Sequence, residues 1–128
     1  MKKTVKGFTL VEIMIVVAII GIIIAIAVPA FLRARENARG QACQENLSKI
    51  DGAKEQYALE FRISNGESLA NDWQDLLQPA GAGAGQGYLK SEPKCPSGGT
   101  YTIQPIGTAP ECSEYDAASP FIKHELPS

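Results

Sequence analysis

The 128-residue sequence has few of the residues on which enzyme chemistry usually depends. It contains one histidine, His124, and no nucleophile stands beside a base in a recognisable catalytic motif. Basic residues are also scarce in the C-terminal part, where residues 63–128 contain three lysines against eight acidic residues. Binding of nucleic acid depends mainly on neutralising phosphates. These absences argue against an enzyme and against direct binding of nucleic acid.

A second absence is that of charge from Ile13 to Leu32, a run of 20 apolar or small residues. As a helix this run is about 30 Å long, which matches the hydrocarbon core of a bilayer. Lys2, Lys3 and Lys6 precede it and favour an N-terminus in the cytoplasm. A cleaved signal peptide, cut after Ala27 or Ala30, is an alternative, but its apolar region is usually only 7–15 residues long. The sequence therefore predicts a transmembrane segment.

Glu12 is an acid at the entrance of this apolar run. Thr9 and Glu12 have the spacing of a capping box, in which each side chain binds the backbone N–H of the other residue. This interpretation gives Glu12 a purely local role at the start of its own helix. An unpaired charge in hydrocarbon is costly, by roughly 2.5–3.5 kcal/mol on insertion scales. A second partner for Glu12 therefore stays open.

Residues 6–12, with the sequence KGFTLVE, lead directly into the apolar run. They resemble the N-terminus of type IV prepilins and type II secretion pseudopilins. Gly21 and Pro29 also stand where that family commonly has these residues. The resemblance implies that a prepilin peptidase cuts between Gly7 and Phe8 and methylates the new amine of Phe8. It also implies a single pass through the inner membrane, with the N-terminus cytoplasmic and the head periplasmic.

The same resemblance implies partners and an assembly. These are an assembly ATPase with its platform protein, and copies of the chain itself or related pilins in a filament. In a bundle of parallel helices, the ammonium at Phe8 of one subunit is expected to face Glu12 of a neighbour, which gives Glu12 its second partner. Pro29 lacks an N–H and is expected to cause a kink or a local loss of helix.

Helical spacing continues after the apolar run. An apolar stripe predicts one face of an amphipathic helix that must be buried: Cys43, Leu47, Ile50, Tyr57 and Phe61. We interpret Asp51, Lys54 and Glu55 as ordinary surface charges. The predicted helix covers residues 8–62 and ends at Ser64-Asn65-Gly66 with a left-handed cap.

The remaining residues predict a small head. Residues 69–78 suggest a short helix capped by Asn71 or Asp72, and residues 79–87 a Gly/Ala linker. Residues 98–104 alternate as a strand should, and a turn at residues 107 and 108 leads to a second strand at residues 111–113. The expected fold is α+β and pilin-like, with a long N-terminal helix against a small antiparallel hairpin. Its segments are a leader (1–7), a transmembrane and filament-core helix (8–32), an amphipathic helix (33–62) and a head (63–128).

Three cysteines leave the pairing open. A disulfide between Cys43 and Cys112 and one between Cys95 and Cys112 are both attractive, and either leaves one thiol over. This hairpin register places Cys112 opposite Ile103. We expect no zinc site, because there is no C-x-x-C and His124 lies in a terminal segment. Glu111, Glu114 and Asp116 are a weak candidate for calcium, and no other cofactor is expected.

The sequence therefore predicts a structural subunit of a type IV pilus-like or type II secretion filament. It does not distinguish a major pilin, a secretion pseudopilin and a minor subunit, although the short acidic head favours the last two. The rival hypothesis from another class is a membrane-anchored periplasmic binding or sensor domain that does not polymerise.

Overall fold

A computed structural model of the chain describes residues 1–79, 81, 83, 86–114 and 122–127. Its elements are two helices and two strands: α1 (Leu10–Phe61), α2 (Trp73–Leu77), β1 (Tyr101–Thr102) and β2 (Glu111–Cys112). The chain forms two compact units, Met1–Arg35 and Glu36–Ser128. This α+β composition, with one long N-terminal helix and a small antiparallel sheet, confirms the predicted fold class.

In the first unit, α1 runs without interruption through Pro29. The local loss of helix that the proline predicted is therefore absent. Pro29 has no N–H to offer the carbonyl of Ala25, but the neighbouring turns keep the helical conformation. Among the described residues, one helix, α1, is long and apolar enough to cross a membrane.

The second unit has its core between the outer part of α1 and the chain that follows. Cys43, Leu47, Ile50 and Tyr57 are buried there, which confirms most of the predicted stripe. The prediction for Phe61 is wrong, because its side chain is 39% exposed. Phe61 is the last residue of α1 and stacks on Tyr57 from the edge of the core, with ring centroids 4.5 Å apart.

The C-terminal end of α1 comes earlier than predicted. Arg62 has a positive φ of 55°, and the N–H of Ile63 donates to the carbonyl of Ala58 at 3.0 Å. This is the hydrogen bond of a Schellman motif with Arg62 as the left-handed residue. Gly66 has a φ of 92° but belongs to the following turn. The motif therefore forms without the glycine that the sequence argument relied on.

The sheet is shorter than predicted, and its register differs by two residues. Tyr101 pairs with Cys112 and Thr102 with Glu111, so Cys112 lies opposite Tyr101 and not opposite Ile103. Gln104 has a φ of 61°, which takes the backbone out of the extended conformation after Ile103. Tyr101 and Ile103 are both buried, as the alternation of residues 98–104 predicts for one face of the strand.

Helix α2 is also shorter than predicted. Asp72 precedes it with a φ of 38° and makes no side-chain capping bond. Instead the carboxylate of Asp75 accepts the N–H of Asn71 at 2.9 Å. Leu76 is fully buried, while Trp73 and Leu77 are only partly buried.

Candidate functional site: the N-terminal segment and a cysteine–histidine cluster

The predicted capping box between Thr9 and Glu12 is present. The hydroxyl of Thr9 accepts the N–H of Glu12 at 3.2 Å, and Glu12 Oε2 accepts the N–H of Thr9 at 3.0 Å. The Thr9 hydroxyl also lies 3.2 Å from the same Oε2 atom and donates to it. Both bonds to the carboxylate use Oε2, and among the described residues no hydrogen bond reaches Oε1. Glu12 therefore caps its own helix with Oε2, and Oε1 is available to accept a hydrogen bond from a further donor.

The helix that follows exposes an unusually large apolar surface. Every residue from 8 to 32 is exposed within the first unit. Phe8 is 85% exposed and Phe31 is 67% exposed. Soluble monomers rarely present a continuous apolar surface of this extent, which is typical of contact with lipid or with other protein chains. The geometry of this unit fits a segment that is buried only in a membrane or an assembly.

A second site lies in the second unit, Glu36–Ser128, which we call the head from here on; four buried side chains meet there. The three sulfur atoms and one ring nitrogen lie within 4.8 Å of one another: Cys43, Cys95, Cys112 and His124. The Sγ atom of Cys95 is 3.4 Å from Nδ1 of His124. His124 is only 3% exposed and lies beside the three cysteines, so its place in a terminal segment is no argument against a zinc site, contrary to the sequence argument. The disulfide pairings stay predictions, and the three sulfurs are close enough for either.

The segment that carries His124 is held by one face of α1. The N–H of Ile122 donates to Asn37 at 3.3 Å, and the side chain of Gln44 donates to the carbonyl of Lys123 at 3.0 Å. Between these two contacts, a Cβ atom on Gly40 would come within 2.4 Å of the carbonyl oxygen of Ile122. The absence of a side chain at Gly40 therefore lets this segment approach the helix closely and brings His124 to Cys43.

The thiols of this cluster differ in how easily they ionise. Burial raises the pKa of Cys43 to about 12. Burial is also the main cause that raises the pKa of Cys112. At Cys95 burial opposes ionisation, but the backbone N–H groups of Ser97 and Gly99, with the neighbouring thiols, lower the pKa. Burial therefore opposes ionisation at all three thiols, and only at Cys95 do the hydrogen bonds outweigh it.

The comparisons with known proteins found a family model for the N-terminal segment and relatives that are similar over most of the chain. The family described as prokaryotic N-terminal methylation motif matches residues 2–28. The type II secretion system core protein G of Escherichia coli K12 is 32% identical over 120 residues, which cover 89% of this chain and 79% of that protein. The chain belongs to the type IV pilin and type II secretion pseudopilin family.

Other members of the pilin family are similar over different lengths. The type IV major fimbrial protein FimA of Dichelobacter nodosus is 37% identical over 120 residues, which cover 94% of this chain. This pilin-family chain spans 64% of the length of that fimbrial protein. The type IV major pilin protein PilA of Myxococcus xanthus is 42% identical over 55 residues, 43% of this chain and 25% of that protein. No solved structure matches.

Lys54 is a structural residue of the pilin head that sequence reasoning missed. We interpreted it as a surface charge, but its side chain is fully buried. Its ammonium group donates to the carbonyls of Ile103 at 2.9 Å, Pro105 at 3.2 Å and Thr108. Burial lowers the pKa of Lys54, while Asp51 and Glu55 act in the opposite direction. Three carbonyl acceptors also favour the protonated amine, so we assign Lys54 as the charged centre of the β1–β2 connection.

The remaining predicted site residues belong to the cleavage site and to the calcium candidate. Gly7 and Phe8 lie before the first residue of α1 and are exposed, so the predicted cleavage site is accessible. In the calcium candidate, Glu111 accepts a hydrogen bond from Gln104 at 3.2 Å and Glu114 is partly exposed. Asp116 lies outside the described residues. Calcium binding therefore stays a prediction.

Proposed function

We propose that the chain is a structural subunit of a type IV pilus-like or type II secretion filament and catalyses no reaction itself. It is inserted in the inner membrane with its N-terminus in the cytoplasm. A prepilin peptidase cuts it between Gly7 and Phe8 and methylates Phe8. An assembly ATPase with its platform protein then moves it from the membrane into a filament of like or related chains.

The observation that carries this proposal is that the two carboxylate oxygens of Glu12 differ in their hydrogen bonds. One carboxylate oxygen caps the helix, and the other, among the described residues, has no hydrogen bond. A cut after Gly7 creates an ammonium at Phe8 with an unperturbed pKa of roughly 7.7–8.0. This group is positive at neutral pH and matches the remaining oxygen of Glu12. The capping and intersubunit roles are therefore compatible.

The exposed apolar surface supports the same assembly. In the membrane it is covered by lipid, and in a filament it is covered by the same segment of neighbouring chains. Burying a charge pair in such a core recovers little net energy but fixes the register of the helices, because each charge is costly without its partner. Glu12 then selects the axial position at which a new subunit joins.

Two variants separate the roles of Glu12 in cells that contain the prepilin peptidase and the assembly machinery. Glu12→Gln keeps the capping geometry, since glutamine also serves in a capping box, but removes the charge. Thr9→Ala weakens the cap, by about 1 kcal/mol, and keeps the charge. The readouts are the mass of the processed chain and the amount of it in sheared filaments.

We expect both variants to be cut after Gly7. Glu12→Gln should reduce the filament fraction more than about tenfold, because removing one partner of a buried pair costs about 3–5 kcal/mol. Thr9→Ala should reduce it less than about tenfold, as expected for a cap worth about 1 kcal/mol. Equal losses in the two variants would contradict the pairing role. Normal cleavage without any filament in the wild-type chain would support the non-polymerising membrane anchor instead.

A further inference from the structure

We propose that Cys43, Cys95, Cys112 and His124 bind one Zn²⁺ ion as a structural Cys₃His site in the head. All four side chains are buried, and their ligand atoms lie within 4.8 Å of one another. Four ligands of this type are a complete coordination set for structural zinc. The site is independent of the filament function proposed above, because all four ligands belong to the second compact unit.

The geometry is close to that of a zinc tetrahedron. With Zn–S bonds of about 2.3 Å and Zn–N bonds of about 2.0–2.1 Å, ligand atoms lie about 3.6–3.8 Å apart. The Cys95 Sγ to His124 Nδ1 distance is 3.4 Å, and the largest separation in the cluster stays within 4.8 Å. Side-chain shifts of about 1 Å or less complete the tetrahedron, which is within the freedom of χ1 rotations.

A single disulfide would use fewer of the four clustered side chains than a zinc ion. Any single bridge uses two sulfurs and leaves a third buried thiol beside a buried histidine. A zinc ion uses all four groups at once. Binding removes three thiol protons to solvent and needs no oxidant. The dication offsets two of the three thiolate charges and leaves the site with a net charge of −1, which is less costly to bury than three unpaired thiolates.

Two surface hollows border the buried cluster. A surface hollow of about 260 Å³ is lined by Cys112 and His124, with Pro110, Glu111 and Glu125 at its rim. Another hollow, of about 270 Å³, reaches Cys95 from the side of Tyr101. Each hollow brings solvent to within one layer of a ligand residue, and four protein ligands would leave no coordination position for a substrate. A closed site of this kind is structural, not catalytic.

The position of the site in the fold gives the ion a role. Its ligands come from α1, from the loop before β1, from β2 and from the C-terminal segment, which are far apart in sequence. The sheet between them has only two residues in each strand. Small domains with little regular structure often depend on a metal or disulfides for stability. Zinc would tie together four segments that the short sheet alone holds weakly.

The first test uses the full chain, extracted in detergent and purified without added metal or reductant. We expect about one zinc per chain by elemental analysis. After denaturation with a chelator, all three cysteines should react as free thiols. Replacing zinc by Co²⁺ should give the visible absorption bands of tetrahedral thiolate coordination. A chain with one disulfide and one thiol, or a reduced chain that binds no zinc when Zn²⁺ is supplied, would overturn the proposal.

Matched variants then assign the ligand at His124. His124→Ala should weaken zinc binding more than about tenfold. Losing a direct ligand should cost at least as much as losing a group that only hydrogen-bonds a ligand. His124→Cys should restore zinc binding and strengthen the sulfur-to-cobalt charge-transfer bands. Lys123→Gln changes the exposed neighbour on the other side of His124, which lines neither hollow, and should leave zinc affinity unchanged. Unchanged zinc affinity in His124→Ala, or the same loss in His124→Cys, would exclude His124 as a ligand and overturn the four-ligand site.

Discussion

The ammonium group of Lys54 donates a 2.9 Å hydrogen bond to the carbonyl of Ile103, which lies 49 residues further along the chain. Two more carbonyls, of Pro105 and Thr108, accept from the same nitrogen. The connection between β1 and β2 thus closes around a charge supplied by α1. Because backbone carbonyls need a donor when they are buried, this one side chain fixes the conformation of a segment that has little secondary structure of its own.

The first prediction concerns Lys54 itself. Lys54→Met keeps an unbranched side chain of similar size but removes the ammonium donor from the carbonyls of Ile103 and Thr108, while the carbonyl of Pro105 keeps the N–H of Thr108 at 3.1 Å. We expect the free energy of unfolding of the head to fall by roughly 1–3 kcal/mol, the cost of unsatisfied buried acceptors. Urea unfolding followed by the fluorescence of Trp73, the only tryptophan, measures this change. Lys49→Met is the control, because Lys49 is exposed and pairs with Glu45 at the surface; an equal loss in both would refute the anchoring role.

The second prediction compares two glycines of α1. Gly40→Ala places a methyl group within 2.4 Å of the carbonyl oxygen of Ile122, whereas a Cβ on Gly52 meets nothing within 4 Å. Gly40→Ala should lower the free energy of unfolding by about 1–3 kcal/mol, as overpacking does. Gly52→Ala should raise it by about 0.5–1 kcal/mol, the usual gain of alanine over glycine inside a helix.

Urea unfolding of both glycine variants tests this contrast, and limited proteolysis of the C-terminal segment adds an independent readout. The segment should become easier to cut in Gly40→Ala only. A stabilising effect of Gly40→Ala would show that residues 122–127 do not pack against α1 at that position.

The third prediction concerns pH and Tyr88. The hydroxyl of Tyr88 donates to the carboxylate of Glu60, and burial, followed by this contact, raises the pKa of Tyr88 to about 12. Between the unfolded value of about 10 and the folded value, the folded state binds more protons than the unfolded state, so stability falls as pH rises. The contribution of Tyr88 is therefore complete below about pH 10 and is lost above it.

Tyr88→Phe removes this titration. The difference in urea midpoint between the wild-type chain and Tyr88→Phe should narrow between about pH 10 and about pH 12, where the tyrosine loses its advantage. Tyrosinate absorbance should show one late-titrating group fewer in the variant. A difference in stability that does not change with pH would mean that the bond from Tyr88 to Glu60 has no effect on folding.

The features that were predicted correctly depend on residues close together in the sequence. The capping box needs only Thr9 and Glu12, three residues apart, and its geometry follows from the start of any helix with that pattern. The buried stripe follows from the period of the helix. Within the stripe, Ile50 and Tyr57 are seven residues apart, and residue 54 lies between them on the same helix face. This spacing was the signal that the side chain of residue 54 is buried. The sequence argument left Lys54 out of the buried face only because its side chain is charged.

The features that were missed depend on contacts between distant segments. The C-terminal residues Ile122, His124 and Leu126 alternate with exposed neighbours, which is a pattern of an extended segment with one buried face. Nothing local indicates that this face packs beside Gly40 and Cys43. The hairpin register was wrong for a similar reason, since it depends on how Gln104 leaves the extended conformation and not on the position of Gly107 alone.

The most direct test of the central claim is the intact mass of the chain recovered from sheared filaments of cells that express it with a prepilin peptidase. We predict a chain that begins at Phe8 and carries one additional methyl group on its N-terminus. This result requires cleavage after Gly7, modification of the new amine and incorporation into a filament. A mass that retains Met1 or begins after Ala27 or Ala30, or a processed chain that is found only in the membrane, would contradict the account.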